Sequence, residues 1–289
     1  MTAPSLSRNL WGRRFDSPLI LAGGTAGFGR ELALLDCWDR VAALVSKSVT
    51  LKPREGNPPP RIQETEYGLL NSIGLANPGV NSVVQQEING SVNIPCPLIV
   101  SVAGEEEEEF HRVVEVLEGS PMPWAYEINV SCPNVASGGL PFGSEPSAVE
   151  RISRAVARVS SRPFAVKLTP NAGDMVETAL AAQEGGASGL TVCNTFLGMK
   201  MDWRTGSTLI PRKVAGYSSP ALLPLVVARV WQVSRTVSIP VLASGGVARG
   251  EDVLELLAAG AEMVQVGIRL MRRPRAASEL FREAEELLQ

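Results

Sequence analysis

Histidine is almost absent from this sequence, since His111 is the only one in 289 residues. It falls in a helical pattern that follows a predicted strand at 97–103, so we expect a surface or packing role for it. Catalytic arrangements built on histidine are therefore disfavoured. The H-E-x-x-H, G-x-S-x-G and Walker A patterns are also absent, which argues against the enzyme classes that carry them.

Cysteine is scarce and scattered. Cys37, Cys96, Cys132 and Cys193 form no C-x-x-C pair. This spacing argues against a zinc or iron–sulfur site within the chain and against a disulfide scaffold. We therefore predict no metal site and a reduced, cytoplasmic protein. Cys37, Cys96 and Cys193 are expected to act as small buried hydrophobic residues.

A strong charge and a long apolar run are also missing. The net charge is only −3, and acidic and basic residues are mixed, so we predict no nucleic-acid partner. We predict no signal peptide and no membrane span, because no apolar run approaches the roughly 18 residues that a membrane helix needs. The acidic run 105–109 is expected to be the solvated first turn of a helix rather than a metal site.

Short runs rich in Val, Ile and Leu alternate with amphipathic stretches, among which helices are predicted at 174–184, 251–259 and 275–288. Continuous apolar strands that alternate with helices indicate a parallel sheet covered on both faces. Eight such units predict an α/β fold, a (β/α)8 TIM barrel of ~250 residues, forming one domain over 1–289. A doubly wound open sheet is the alternative. The predicted strands are 18–22, 43–48, 97–103, 124–130, 164–168, 189–193, 240–244 and 263–266.

Two segments are longer than ordinary connections. Residues 50–66, after strand 2, contain Pro53, Pro58, Pro59 and Pro60, which predicts an extended excursion rather than a helix. Residues 196–219, after strand 6, form a long, polar and glycine-rich loop. Loops of this length often act as lids or binding loops.

The most informative stretch is 127–134, where an apolar strand ends abruptly in Ser-Cys-Pro-Asn. It puts the thiol of Cys132 and the carboxamides of Asn129 and Asn134 at a strand end, where ligands bind in α/β folds. The stretch indicates a cysteine that acts on a small, hydrogen-bond-rich substrate. The glycine run 24–29 is weak dinucleotide evidence, and positive φ or close approach to a ligand explains it better.

Other predicted strands also end in polar residues or glycines, and in a barrel these ends share one rim. Two lysines and four asparagines on an apolar rim are costly unless they are hydrogen-bonded. A flat, heteroatom-rich substrate and a phosphate-bearing cofactor would satisfy them, with the glycines as the phosphate site. The residues are Lys47, Asn71, Asn129, Cys132, Asn134, Lys167, Asn194, Thr195, Gly245, Gly246 and Gly267.

Three blocks make the sequence similar to the dihydroorotate dehydrogenases, the FMN-dependent barrel enzymes of pyrimidine synthesis. The first block is 50–61 with 70–79, the second is 129–134, and the third is 244–247 leading to 266–267. The first two together are specific, whereas many phosphate-binding barrels share the third. The sequence resembles most the class 1 branch, which uses NAD through a partner subunit.

The resemblance implies a role for each matching residue. Cys132 would be the general base that takes a proton from C5 of dihydroorotate while hydride passes from C6 to N5 of FMN. Lys47 would lie between substrate and flavin, and Lys167 by the flavin ring or ribityl chain. The implied substrate contacts are Lys47, Asn71, Ile73, Gly74, Leu75, Asn129, Asn134, Asn194 and Thr195. The implied FMN contacts are Ala22, Gly23, Lys47, Ser48, Asn129, Lys167, Val192, Gly216, Gly245, Gly246, Gly267 and Ile268. The loop around Cys132 would be a lid that excludes water.

The resemblance also implies partners: a homodimer and, with NAD as oxidant, a second subunit carrying FAD and an iron–sulfur cluster. The chain departs from the family pattern at Ile268, Arg269, Ser219 and Ala76, where Thr, a small residue, Gly and Gln are common. Arg269, with Arg272 and Arg273, is expected either to compensate at the phosphate or to be solvated. A dihydropyrimidine-type dehydrogenase, an inactive flavin-binding paralogue and a non-flavin phosphate-binding barrel stay as alternatives.

Overall fold

The computed structural model describes residues 5–33, 35, 37–88, 94–131, 133–134 and 140–289, with the backbone alone at 31, 133, 134, 140 and 141. Eight parallel strands close into a barrel in which each strand pairs with its neighbours in the sequence, and the last pairs with the first. The predicted (β/α)8 barrel is therefore confirmed, and the doubly wound open sheet is wrong. The strands are β1 (Leu19–Leu21), β2 (Ala43–Val45), β3 (Leu98–Val102), β4 (Pro123–Asn129), β5 (Phe164–Lys167), β6 (Gly189–Val192), β7 (Val241–Ser244) and β8 (Met263–Val266).

The strands were predictable because nearly all of their residues are apolar and covered on both faces. Apart from Trp124 and Asn129 in β4, every residue of the barrel strands is buried. Such burial produces continuous rather than alternating apolar runs. All eight predicted strands are present, and β2 shows the largest shift because it ends at Val45 rather than at residue 48.

Helices surround the barrel on the outside. They are α1 (Arg30–Ala33), α2 (Val80–Val83), α3 (Glu107–Glu118), α4 (Pro146–Val159), α5 (Met175–Glu184), α6 (Leu223–Ser234), α7 (Gly250–Ala258), α8 (Ile268–Arg272) and α9 (Ala276–Glu286). A π-helical turn, Val84–Ile88, follows α2, and short 3₁₀ turns occupy Phe142–Ser144 and Pro220–Leu222. The predicted helices at 174–184, 251–259 and 275–288 correspond to α5, α7 and α9.

The acidic run opens α3 as predicted, but its carboxylates are not simply solvated. Glu107 accepts two hydrogen bonds from Arg151 on α4, and Glu105 pairs with Arg54. Among the described residues, no group of His, Cys, Asp or Glu could hold a metal ion. His111 also lies on α3, beside the arginines of α4 and outside the cavity at the barrel rim.

The two long connections contribute strands to one sheet, in which Leu69–Asn71 lies between them. Phe196–Gly198, Ala215–Ser218, Leu69–Asn71 and Ile62–Glu64 form, in that order, a four-stranded antiparallel sheet, called here the rim sheet. The segment after β2 is extended, as predicted. The segment after β6 is built from hairpins rather than an irregular loop, with a second hairpin joining Met201–Asp202 and Ser207–Thr208. Register places Gly216 opposite Asn71.

The opposite end of the barrel is plugged by apolar side chains. An N-terminal hairpin, Arg8–Leu10 with Arg13–Phe15, packs Leu10 and Phe15 against the bottom of the barrel. Trp11 donates a hydrogen bond of 2.8 Å to Ser188 O and contacts the ring of Trp124. Within the described part of the chain, no helix has the length and apolar character needed to cross a membrane.

Candidate active site

A cavity of about 220 Å³ lies where the carboxyl ends of the barrel strands meet the rim sheet. More than half of the predicted site residues line it. They are Ala22, Gly23, Asn71, Ile73, Lys167, Asn194, Thr195, Gly245, Gly246, Gly267 and Ile268. These residues come from separate loops and are brought together only when the barrel closes, as expected for ligand sites in this fold.

One end of the cavity is formed by backbone amides. The N–H groups of Gly245, Gly246, Gly267 and Ile268 donate to no acceptor among the described residues. Gly246 has φ +81°, and a Cβ at this position would lie 2.6 Å from Leu223 Cα. Glycine is therefore required for the loop to pass this close to α6. Unpaired amides gathered in this way suit an anionic group such as a phosphate.

The other end is formed by carboxamides that orient one another. Asn194 Nδ2 donates to Asn129 Oδ1 at 3.2 Å, and Asn194 Oδ1 accepts from the amide of Thr195 at 2.8 Å. Asn71 Nδ2 donates to Gly216 O at 3.2 Å. These bonds tie β4, the loop after β6 and the rim sheet into one wall of the cavity.

Gly216 was predicted only as a flavin contact, but close packing also requires a glycine at this position. A Cβ there would lie 2.3 Å from Thr195 Oγ1 and 3.1 Å from Asn71 Nδ2. The absence of a side chain therefore lets the two polar groups approach the rim sheet. In the glycine run, Gly24, Gly27 and Gly29 have φ of +83°, +54° and +95°, which confirms the predicted positive φ.

All the predicted substrate and FMN contacts stay predictions. Cys132 and the side chain of Asn134 lie outside the described residues. The other predicted site residues do not line the cavity: Lys47, Ser48, Gly74, Leu75, Asn129, Val192 and Gly216.

Their local geometry is nevertheless informative. The Ser48 hydroxyl lies 2.9 Å from that of Ser101. Gly74 and Leu75 have φ of +72° and +56°, and their amides donate to no acceptor within the described part of the chain. A positive φ at leucine is strained, and such strain is common near ligand sites.

Sequence reasoning missed a polar cluster inside the barrel. Glu127 is only 1 % exposed. Its Oε1 lies 3.2 Å from Lys167 Nζ, and its Oε2 accepts from Thr191 Oγ1 at 2.9 Å and from Gln265 Nε2 at 2.7 Å. Lys167 is buried as well. The missed signal was a polar residue in the middle of each of three apolar strands.

Two departures from the family pattern have local explanations. Ser219 has extended backbone, so glycine is not required, and its hydroxyl donates to Tyr67 O at 2.6 Å and accepts from Ala221 N. The Arg269 guanidinium is 14 % exposed and pairs with Glu279 at 2.8 Å and Glu283 at 2.7 Å. The expectation that Arg269 is simply solvated is therefore wrong, because it ties α8 to α9, whereas its role at the phosphate stays a prediction.

Electrostatics supports the same assignment for Arg269. Burial opposes the ionisation of Glu283, but hydrogen bonds from Arg269 and from the Gly250 amide outweigh it and lower the pKa of Glu283. Arg272 and Arg273 are exposed, as the solvated alternative required.

The chain matches the sequence model of the dihydroorotate dehydrogenase family over residues 5–288. It is 41% identical over 283 residues to "Dihydroorotate dehydrogenase B (NAD(+)), catalytic subunit" of Bacillus pumilus, covering 98% of this chain and 91% of that protein. It is 38% identical over 288 residues to the catalytic subunit of the same name from Geobacter sp. strain M21, covering 100% and 94%. The crystal structure of DHODH from Eimeria tenella in complex with ferulenol has the same fold, with a TM-score of 0.77 and 22% identity over 98% of this chain and 84% of that chain. The chain therefore belongs to the dihydroorotate dehydrogenase family of oxidoreductases, and within it to class 1B.

Proposed function

We propose that this chain oxidises dihydroorotate to orotate in pyrimidine biosynthesis, with FMN as the cofactor of this flavin-dependent family. The observation that carries the proposal is the rim cavity. There the buried Lys167 and a set of oriented asparagines meet four amides that have no acceptor in the described part of the chain. An anionic cofactor and a small substrate rich in hydrogen-bonding groups would together satisfy this set of donors and acceptors.

The residues present fit FMN. The amides at Gly245, Gly246, Gly267 and Ile268 suit its phosphate, and the Lys167 ammonium suits the polar edge of its ring. When bound, FMN would supply the acceptor for the hydride that leaves C6 of dihydroorotate. The proposed FMN contacts are Ala22, Gly23, Lys47, Ser48, Asn129, Lys167, Val192, Gly216, Gly245, Gly246, Gly267 and Ile268.

The carboxamides suit dihydroorotate because each both donates and accepts, as the substrate's imide, amide and carboxylate edges require. Asn194 is held by Asn129 and by the Thr195 amide, so its remaining groups have a fixed direction toward the cavity. The proposed substrate contacts are Lys47, Asn71, Ile73, Gly74, Leu75, Asn129, Asn134, Asn194 and Thr195.

Cys132 is proposed as the base that accepts the proton from C5. Cys193 also lines the cavity, but burial raises the pKa of its thiol to about 12, so it stays protonated near neutral pH. A protonated thiol cannot act as a base. The support for Cys132 is therefore its place after β4, in the stretch that also holds Asn129.

The proposal is tested by the visible spectrum of the purified protein supplied with FMN, followed by anaerobic addition of dihydroorotate. Bleaching of the flavin bands is expected. Bleaching by dihydrouracil instead would favour a dihydropyrimidine-type dehydrogenase, because only dihydroorotate carries a carboxylate. A protein that binds FMN but is reduced by neither would be an inactive paralogue, and failure to bind FMN would reject the flavin assignment.

We also propose that the chain forms a homodimer and passes electrons to NAD through a second subunit that carries FAD and an iron–sulfur cluster. The relatives support a partner, because they are named catalytic subunits of an NAD-linked enzyme. The expected result is that the chain alone reduces an artificial dye with dihydroorotate but reduces NAD only after the second subunit is added. The proposal implies a cytoplasmic location, where NAD and the precursors of nucleotides are found.

A further inference from the structure

Glu127 is a buried carboxylate to which the proposed mechanism gives no task. It lies in β4, and its side chain enters the barrel rather than solvent. A Cβ added to Gly23, at the rim after β1, would lie 3.4 Å from Glu127 Oε1. The carboxylate therefore lies directly below the mouth of the cavity.

Both oxygens of this carboxylate have fixed partners. Oε1 pairs with Lys167 Nζ at 3.2 Å, while Oε2 accepts from Thr191 at 2.9 Å and from Gln265 at 2.7 Å. These partners come from β5, β6 and β8, so the barrel wall itself sets the orientation of the carboxylate. Because Lys167 lines the cavity, its ammonium is held between Glu127 and the ligand space.

Stability alone does not explain a buried ion pair at this position. Barrel interiors are usually filled with branched apolar side chains. A buried ion pair seldom stabilises a protein more than apolar residues of similar volume would. The arrangement instead places a lysine beside the cavity and pairs it with a carboxylate of opposite charge.

We infer that Glu127 is a positioning residue that holds the Lys167 ammonium and balances its charge, and thereby sets the reduction potential of the bound flavin. The inference rests on the proposed FMN site. Reduction adds negative charge to the flavin, so an unbalanced positive charge nearby favours reduction and an unbalanced negative charge opposes it.

The test measures the midpoint potential of FMN in four forms of the protein against a reference dye: the unchanged chain, Glu127→Gln, Lys167→Met and the double variant. Relative to the unchanged chain, the potential should rise in Glu127→Gln and fall in Lys167→Met. In the double variant the two shifts should largely cancel. Glu127→Asp keeps the charge, so its potential should stay near that of the unchanged chain even if its thermal stability falls.

Glu118→Gln is the matched control. Glu118 is a partly buried carboxylate that is also bonded to a cation and to hydroxyls, through Arg162, Ser161 and Tyr126, but it does not line the cavity. Its substitution should lower the melting temperature and leave the potential unchanged. A general packing effect would instead move the potential in every destabilised variant.

The outcomes separate the inference from the proposed function. An unchanged chain that binds no FMN rejects the proposed function. A chain that binds FMN but shows the same potential in Glu127→Gln overturns the inference alone. If Glu127→Gln does not fold, the double variant provides the test. A double variant with a potential as low as that of Lys167→Met would also overturn the inference.

Discussion

At the scale of single residues, burial decides which thiols can ionise. It raises the pKa of Cys96 and of Cys193 to about 12, so these two thiols are poor bases near neutral pH. Cys132→Ala should therefore slow anaerobic flavin reduction by dihydroorotate by about 10²–10⁴-fold, the usual contribution of a general base. Cys96 lies outside the cavity, so Cys96→Ala should reduce the flavin at the rate of the unchanged chain. A Cys132→Ala protein with full activity would contradict the mechanism.

Gly246 allows a second residue-scale prediction. Gly246→Ala must keep φ near +81° and place its Cβ 2.6 Å from the backbone of Leu223. Gly206 has a similar φ of +67° but open space around it. Gly206→Ala should therefore cost only the left-handed backbone penalty of about 1–2 kcal/mol, measured by urea unfolding. Gly246→Ala should cost more than this and weaken FMN binding in a fluorescence titration. Equal costs for the two substitutions would show that the close approach to α6 is not needed.

At the scale of elements, Arg269 joins α8, next to the amide end of the cavity, to α9. Arg269→Met should lower the melting temperature at neutral pH, because Glu279 and Glu283 then lose their cation. Burial raises the pKa of Glu283, but Arg269, the Gly250 amide and Arg282 together lower it by more. The stabilisation is therefore present above the ordinary value of 4.5 and is lost as the pH falls through the lowered pKa.

The measurement compares melting temperatures of the unchanged chain and of Arg269→Met between neutral and acid pH, and the difference should shrink on acidification. Arg273→Met is the matched control, because Arg273 is exposed and lies 3.8 Å from Glu279. It should change the melting temperature little. A difference that grows as the pH falls would contradict the assigned ion pairs.

Elements with a strong local signal could be predicted from the sequence, and those defined by pairing could not. The barrel strands are apolar along their length, and α5 has its N-cap in Asp174, whose side chain accepts from Val176 N. The strands of the rim sheet have three or four residues each, too few to show a period. Their stability comes from pairing across the fold, such as Gly216 with Asn71.

At the scale of the whole molecule, the site depended on contacts between distant parts of the sequence. The rim residues were predictable because closing a barrel brings all strand ends together. The cluster around Glu127 was not, because Gln265 lies 138 positions away and no local pattern pairs the two. Whether residues 1–289 form one domain stays a prediction, for which a single cooperative unfolding transition, the same by fluorescence and circular dichroism, is expected.

The proposed homodimer leads to the last prediction, which concerns the hairpin outside the rim sheet. Met199, Met201 and Trp203 are exposed there, Trp203 to 81 %, and exposed apolar patches of this kind commonly mark interfaces. We expect light scattering to give twice the mass of one chain, and Trp203→Ser to shift the protein toward the monomer. Trp231→Ser is the matched control, because Trp231 is also exposed but lies on α6, and this variant should stay dimeric. A monomeric unchanged chain would contradict the homodimer, whereas a dimer unaffected by Trp203→Ser would place the interface elsewhere.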